Sequence, residues 1–150
     1  MQDIPEHEAR ALFTAPLVCE DVDPWETFKG NPHVVEVTAG LLDESGRSAG
    51  LLLKLIYHYS PKTRIRTCKF TVYVRRHHGL DRAYQLELNQ YPVKLADAHK
   101  RSHEHMGRLR VTGDASWEQW EYDDAIAHFC KQTNVSFRPP LHHPEHFYLR

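Results

Sequence analysis

The stretch 66-RTCKFTVYVRR-76 alternates apolar and polar residues more regularly than any other part of the chain. Successive side chains of a β-strand point to opposite faces of a sheet. One face of this strand would carry Cys68, Phe70, Val72 and Val74. The other face would carry Lys69, Thr71, Tyr73 and Arg75. The pattern therefore predicts a half-buried strand with an apolar inward face and a polar outward face.

Similar alternation precedes and follows this stretch. Residues 33–41 predict one strand, which ends at the turn sequence DESG. Residues 49–60 predict a second strand that is apolar on both faces, as expected for a central position in the sheet. After the turn sequence HHGLD, residues 83–90 alternate again. Because short turns join these strands, we expect an antiparallel meander.

The two ends of the chain predict helices and an extended tail. Residues 4–13 and 23–30 indicate short helices, with Pro5 at the start of the first and Asp23 capping the second. Near the C-terminus, Ser116 and Gln119 form a capping-box pattern. It precedes an apolar stripe at helical spacing, formed by Tyr122, Ile126, Phe129 and Cys130.

These patterns predict one α+β domain over residues 1–150. In that domain a helical cover (1–32) precedes an antiparallel sheet of about five strands (33–111). A helix (116–133) packs on the sheet, and an extended tail (134–150) follows.

Composition narrows the class of protein. With 150 residues, 41% hydrophobic and 26% charged, the chain has the make-up of a globular domain. The longest apolar run is too short to cross a bilayer, and the N-terminus lacks a secretory signal pattern, so we expect a cytoplasmic protein without membrane contact. Cys19, Cys68 and Cys130 form no CxxC pair, which favours reduced, packed thiols.

Charge is unevenly distributed, although the formal net charge is only −1. Between residues 60 and 79 all charged side chains are basic, and between 114 and 124 all are acidic. The two segments could be solvated faces that attract each other, or the basic hairpin could face phosphate. Any contact with nucleic acid would then be local.

The segment 97-DAHKRSHEHMGRLRV-111 clusters three histidines, His99, His103 and His105. The HEH spacing places both imidazoles on one side of a strand, a geometry that suits a metal ion. The glutamate that cupin-type oxygenases place a few residues later is missing here. The sequence HHPEH (142–146) has the letters of an inverted zinc-peptidase motif, but Pro144 disfavours the required helix. We therefore predict no metal site and no cofactor, and keep an HxH metal protein as an alternative.

A single strand over residues 103–111 raises a conflict, because His103, His105, Leu109 and Val111 would all face the same way. Either the strand starts after Gly107, or a bulge there turns the histidines outward. In both cases we expect solvated histidines that titrate near neutrality.

Histidines beside cations, without a nucleophilic Ser or Cys motif, are the groups that metal-independent ribonucleases use. The catalytic candidates are His103, His105, His99 and Tyr73. The candidate phosphate contacts are Arg66, Lys69, Arg75, Arg76, Arg108 and Arg110. Chance clustering of surface groups is the alternative, since the chain has 12 histidines. No Gly-rich phosphate loop or GxSxG motif is present, which argues against the usual nucleotide hydrolases.

Trp117 and Trp120 lie off the apolar stripe of the helix, on the side of Asp124. They could pack under the preceding loop, which we favour because large aromatics usually find cover within their own chain. They could also form a partner or homodimer surface. In that second hypothesis the chain is a non-catalytic interaction protein.

The chain has a run of strands, then a polar loop with clustered histidines that ends in HxH, and then one acidic-faced helix. This order of elements resembles that of the small TumE-type toxins of bacterial toxin–antitoxin modules. His103 and His105 correspond to the final histidines of that family's RYDNAPHH…PHHKH-like segment, and His99 is a looser match. The sequence LELN keeps an acid and an amide of the RYDN part and lacks its arginine and tyrosine. The resemblance covers roughly residues 70–134. It implies a small cytoplasmic bacterial protein with a cognate antitoxin, acting on RNA.

Overall fold

The computed structural model describes residues 2–20, 25–63, 65–90 and 101–145. These residues form nine β-strands, two α-helices and one short 3₁₀ helix. In chain order the elements are α1 (Glu6–Leu12), β1 (Leu17–Glu20), β2 (Glu26–Phe28), β3 (Asn31–Leu42), β4 (Ser48–Tyr59), β5 (Arg66–Arg76), β6 (Gly79–Asn89), β7 (His103–Met106), β8 (Leu109–Thr112), the 3₁₀ helix (Ala115–Gln119), α2 (Tyr122–Thr133) and β9 (Val135–Arg138).

All nine strands belong to one sheet, in the order β8-β7-β6-β5-β4-β3-β1-β9, with β2 beside β3. The predicted antiparallel meander is confirmed as β3 to β6, with β4 between two long neighbours. The expectation of about five strands is too low. The additional strands are short, and one pair is parallel, since β9 lies parallel to β1.

The short strands are the elements that sequence patterns missed. The helix predicted over residues 23–30 is wrong, because Glu26–Phe28 pairs with β3 as a strand. Three residues are too few to show alternation, and pairing with a longer strand overrides their local preference. The proposed cap Asp23 lies outside the described residues. The first predicted helix is confirmed as α1, and the tail is extended where it forms β9.

The C-terminal helix is shorter than predicted. A 3₁₀ turn covers its predicted start, and the chain is extended at Trp120 before α2 begins. The capping box forms between Glu121 and Asp124, whose backbone and side chains bond reciprocally, and not between Ser116 and Gln119. The same S/T/D/E-rich stretch thus offers two cap positions, and the later one is used.

The sheet has an apolar inner face and a polar outer face. The alternation predicted for β4, β5 and β6 is confirmed by the residues buried on the inner face, which include Leu51, Leu53, Leu55, Tyr57, Cys68, Phe70, Val72, Tyr84, Leu86 and Leu88. α2 packs on this face, where the Phe129 ring lies 5.9 Å from Phe70 and 5.8 Å from Tyr84. None of the helices in the described segments has the length and apolar character to cross a bilayer.

Candidate functional site

The two halves of HEHMGRLRV form a hairpin. The register pairs His103 with Thr112, Glu104 with Val111, His105 with Arg110 and Met106 with Leu109. The chain reverses at Gly107, which has φ +56 and is tightly packed against the backbone of Ile4. Because the chain reverses here, His103 and His105 point to the outer face while Leu109 and Val111 lie on the inner face. The four residues therefore do not share one face, as they would in a single uninterrupted strand.

On the outer face, mostly polar side chains line up in rows across the strands. One row contains Ile56, Lys69, Glu87, His103 and Thr112. The next row contains Lys54, Thr71, Gln85, His105 and Arg110. Tyr73 stands one row further, opposite Arg82. The register therefore places Lys69, Tyr73, His103, His105 and Arg110 on one surface.

His103 is buried, with only 4% of its surface exposed, which corrects the expectation of a solvated side chain. Its Nε2 lies 2.9 Å from Glu87 Oε2, and its Nδ1 donates to the Arg101 carbonyl oxygen at 2.7 Å. Both ring nitrogens of His103 thus face oxygen acceptors. The hydrogen bond from His103 in turn lowers the pKa of Glu87. Glu87 therefore holds His103 in a fixed orientation.

His105 differs from its neighbour, although the two rings are perpendicular with centroids 5.0 Å apart. It is half-buried. Burial, the charge of Arg82 and the adjacent His103 lower the pKa of His105 to about 4. The expectation of titration near neutrality is therefore wrong for this residue. At pH 7 it is therefore a neutral imidazole.

A hydrogen-bonded network lies beside His105 on the outer face. Arg82 donates to both carboxylate oxygens of Asp3, at 2.6 and 2.9 Å. A third donor of Arg82 reaches Gln85 Oε1 at 2.7 Å, and the Gln85 amide donates to Thr71 Oγ1 at 2.9 Å. Bidentate charged pairs of this kind have well-defined geometry. The outer face around His105 is therefore built from side chains with fixed positions.

The basic residues of β5 fall into two groups. Lys69 and Arg75 are exposed, on the outer face. Arg66 instead donates to Glu145 Oε1 at 2.8 Å, and Arg76 is ion-paired with Glu8. Carboxylates of the same chain therefore engage both arginines, the half-buried Arg66 and the exposed Arg76.

Of the other predicted residues, Arg108 is exposed in the turn between β7 and β8, and Arg110 is half-buried beside His105. His99 lies outside the described residues.

A depression of about 380 Å³ opens on the outer face beside the histidine row. Its polar lining consists of Asn31, His58, Thr67, Lys69, Glu87 and Asn89. Burial, with a smaller effect of His33, lowers the pKa of His58. Three strand spacings, roughly 14 Å, separate His58 on β4 from His103 on β7. The histidines therefore do not meet in one cleft, and Glu87 is the residue that the depression shares with the His103–His105 pair.

The tryptophans pack within the chain. Trp117 is 8% exposed and stacks on the half-buried Trp120 with ring centroids 4.6 Å apart. Both rings lie 5.1 Å from the His128 ring on α2. This arrangement agrees with intramolecular cover and removes Trp117 from the partner surface considered above. Asp124, the third residue of that surface, caps α2.

Sequence reasoning missed Asp3, Arg82 and Glu87, whose roles depend on strand register. Alternation along β6 does place Glu87 on the outward face, so the register of β6 against β7 would have identified it. Among the described residues, no three His, Cys, Asp or Glu side chains are grouped to hold a metal ion. In HHPEH, Glu145 accepts hydrogen bonds from Tyr57 and Arg66.

Comparisons of the chain with protein-family models, with curated proteins and with solved structures gave no match.

Proposed function

We propose that the chain binds single-stranded RNA on the outer face of the sheet and cleaves it without a metal ion, with His105 as the proton acceptor. The observation that carries the proposal is the His103–His105 pair. A neutral imidazole stands beside one held between two acceptors, on a surface that also presents Lys69. Titratable groups with shifted pKa values that lie together on one surface are typical of acid–base sites.

The same surface has the groups that single-stranded nucleic acid needs. Lys69 and Arg75 are exposed cations, and the half-exposed Tyr73 between them offers a ring for stacking. Bases stack on aromatic side chains of open sheet faces, while cations follow the phosphates. A duplex keeps its bases stacked inside, so this surface suits a single strand better.

The reaction proposed is internal transesterification. His105 accepts the 2′-hydroxyl proton, and the 2′-oxygen attacks the adjacent phosphorus. The bond to the 5′-oxygen breaks, which leaves a 2′,3′-cyclic phosphate and a 5′-hydroxyl that takes its proton from water. The positive charge of Arg110, opposite His105, stabilises the phosphorane. His103 acts as a positioning residue, because both its nitrogens are engaged.

The proposal includes a toxin role with a cognate antitoxin, supported by the correspondence of His103 and His105 with the final histidines of TumE-type toxins. Expression of the wild-type chain in bacteria should arrest growth, and co-expression of a small protein from the neighbouring gene should relieve the arrest. The variant His105→Ala should not arrest growth. Arrest by this variant equal to that of the wild type would contradict the proposal.

The direct test is cleavage of labelled RNA in EDTA. We expect wild-type protein to cut RNA but not the 2′-deoxy analogue, to produce 2′,3′-cyclic ends, and to lose at least about 100-fold in rate in His105→Ala. The matched control is His7→Ala, since His7 is an exposed histidine on α1 and belongs to none of the strand rows. Equal loss in both variants, or activity that EDTA abolishes, would overturn the mechanism.

A further inference from the structure

The depression beside Glu87 has the dimensions of a ligand site. Its volume of about 380 Å³ lies within the usual range for small-ligand pockets, roughly 300–1,000 Å³. Val34 and Ile56 supply apolar wall, while Glu87, Asn89 and Lys69 supply polar groups. A planar base needs this combination of apolar contact and edge hydrogen bonds.

Resting on the proposed function, we propose that this depression recognises one guanine base of the bound RNA through the carboxylate of Glu87. Guanine is the one standard RNA base with two adjacent donors, N1–H and N2–H₂, on its Watson–Crick edge. An ionised carboxylate accepts both. Uracil has one donor flanked by two acceptors, and adenine and cytosine each place a ring acceptor beside one amine.

Glu87 is able to accept these bonds while it orients His103. The hydrogen bond with His103 uses one lone pair of Oε2, and two carboxylate oxygens offer about four acceptor positions. Its hydrogen bond with His103 and the positive charge of Lys69 keep the pKa of Glu87 low. The carboxylate is therefore ionised at neutral pH. Lys69 faces Glu87 in the register and can donate to guanine O6.

The position of Glu87 links base recognition to cleavage. Glu87 lies beside His103 in one row, and the perpendicular ring of His105 is next to His103. A guanosine held by Glu87 would therefore place its ribose close to His105. We expect cleavage next to guanosine more often than next to the other nucleosides.

The test measures binding of 2′-O-methyl oligonucleotides, which cannot be cleaved, by fluorescence anisotropy. Oligonucleotides of uridine carrying one central guanosine, adenosine, cytidine or inosine are compared, with free GMP as a separate competitor. We expect guanosine to bind at least about fivefold tighter than adenosine or cytidine. Inosine lacks the N2 amine, so its oligonucleotide should bind more weakly than that of guanosine and more tightly than those of adenosine and cytidine. Inosine and the nucleoside series use wild-type protein, so folding does not affect their outcome.

In Glu87→Gln the amide presents a donor to guanine, and the preference should disappear. Asn89→Ala, which leaves the hydrogen bond between His103 and Glu87 intact, should reduce the preference for guanosine. The control Glu36→Gln removes a carboxylate on the same face, 3.9 Å from Lys54 and outside the depression, and should keep the preference.

The outcomes separate the two proposals. Equal binding of all four oligonucleotides would overturn guanine recognition and leave RNA binding standing. GMP binding that depends on Glu87, without any oligonucleotide binding, would support the guanine site and overturn the RNA function. Absence of both would overturn both.

Discussion

His105 owes its properties to its surroundings. Burial, the positive charge of Arg82 and the electrostatic effect of the neighbouring His103 disfavour its protonated form. In the unfolded chain it would have its ordinary pKa of 6.5, and in the folded chain about 4. Between these values the unfolded state binds more protons, so this residue reduces stability as the pH falls from about 6.5 to about 4, and adds no further loss below that.

We therefore predict that the imidazole NMR signal of His105 titrates near pH 4. We also predict that His105→Gln makes the free energy of unfolding less dependent on pH between 4 and 6.5. Urea denaturation at several pH values measures the second effect. A titration of His105 near 6.5 would contradict both statements.

Gly107 is required for two reasons that act together. Its φ of +56 is strained for other residues, and a Cβ there would lie 2.5 Å from the Ile4 carbonyl oxygen. Gly46 also has a positive φ, +86, but has open space around it. We predict that Gly107→Ala lowers the free energy of unfolding by at least about 2 kcal/mol, and Gly46→Ala by about 1 kcal/mol. Equal losses in urea denaturation would show that the contact with Ile4 costs nothing.

Among the secondary-structure elements, β5 shows how alternation divides a basic segment. Arg66 contributes to stability through Glu145, whereas Lys69 faces outward. We predict that Arg66→Ala lowers the free energy of unfolding by about 1 to 2 kcal/mol and leaves the salt dependence of RNA binding unchanged.

The double variant Lys69→Ala/Arg75→Ala should have the opposite effects on stability and on the salt dependence of RNA binding. It should keep stability within about 0.5 kcal/mol. It should also reduce the slope of log affinity against log salt by about 1.4, since each lost phosphate contact removes about 0.7. Lys131→Ala, which removes one cation from α2, is the control, because Lys131 is exposed away from the outer face. A slope that changes equally in the control would contradict the assignment.

The contact between α2 and β7 depends on Glu104. Its carboxylate accepts from Tyr84 Oη at 2.6 Å, His128 Nε2 at 2.7 Å and Gln132 Nε2 at 3.0 Å. Burial would raise the pKa of Glu104, but the hydrogen bonds from His128 and Tyr84 outweigh it and lower the value.

We predict that Glu104→Ala lowers the free energy of unfolding by about 3 kcal/mol, because the Tyr84 hydroxyl loses its partner inside the core. Glu118→Ala, an exposed carboxylate on the 3₁₀ helix, should change it by less than about 0.5 kcal/mol. Thermal and urea denaturation give both values.

The long strands could be predicted because alternation over eight or more residues is a local signal. β5 and its neighbours show it clearly, and their buried faces are as expected. The short strands β1, β2 and β9 have no such signal, because each exists through pairing with a distant segment.

The residues of the site divide in the same way, into those that local alternation predicts and those that depend on contacts with distant segments. Alternation along β5 alone places Lys69 and Arg75 on the outward face and Arg66 and Arg76 on the other. The carboxylates that pair with Arg66 and Arg76 are Glu145 and Glu8. They lie 79 and 68 residues away in sequence, so the sequence pattern could not identify them. Likewise, the burial of His103 depends on the register between β6 and β7.

At the scale of the whole molecule, the two faces of the sheet have different roles. Its inner face holds α2 and the aromatic core, and its outer face carries the rows of polar groups that include His105 and Lys69. Binding of RNA should therefore affect only one side of the molecule. His58 and His105 report on the outer face, and His128 on α2 reports on the inner one.

The most direct test of this account is an NMR titration of the histidine side chains with a single-stranded RNA oligonucleotide at low salt and pH 7. We predict that the imidazole signals of His58 and His105 shift with a common saturation curve, while the signal of His128 stays in place. Shifts confined to His128, or no shift of any histidine at saturating RNA, would contradict the proposal that the outer face is the RNA-binding surface.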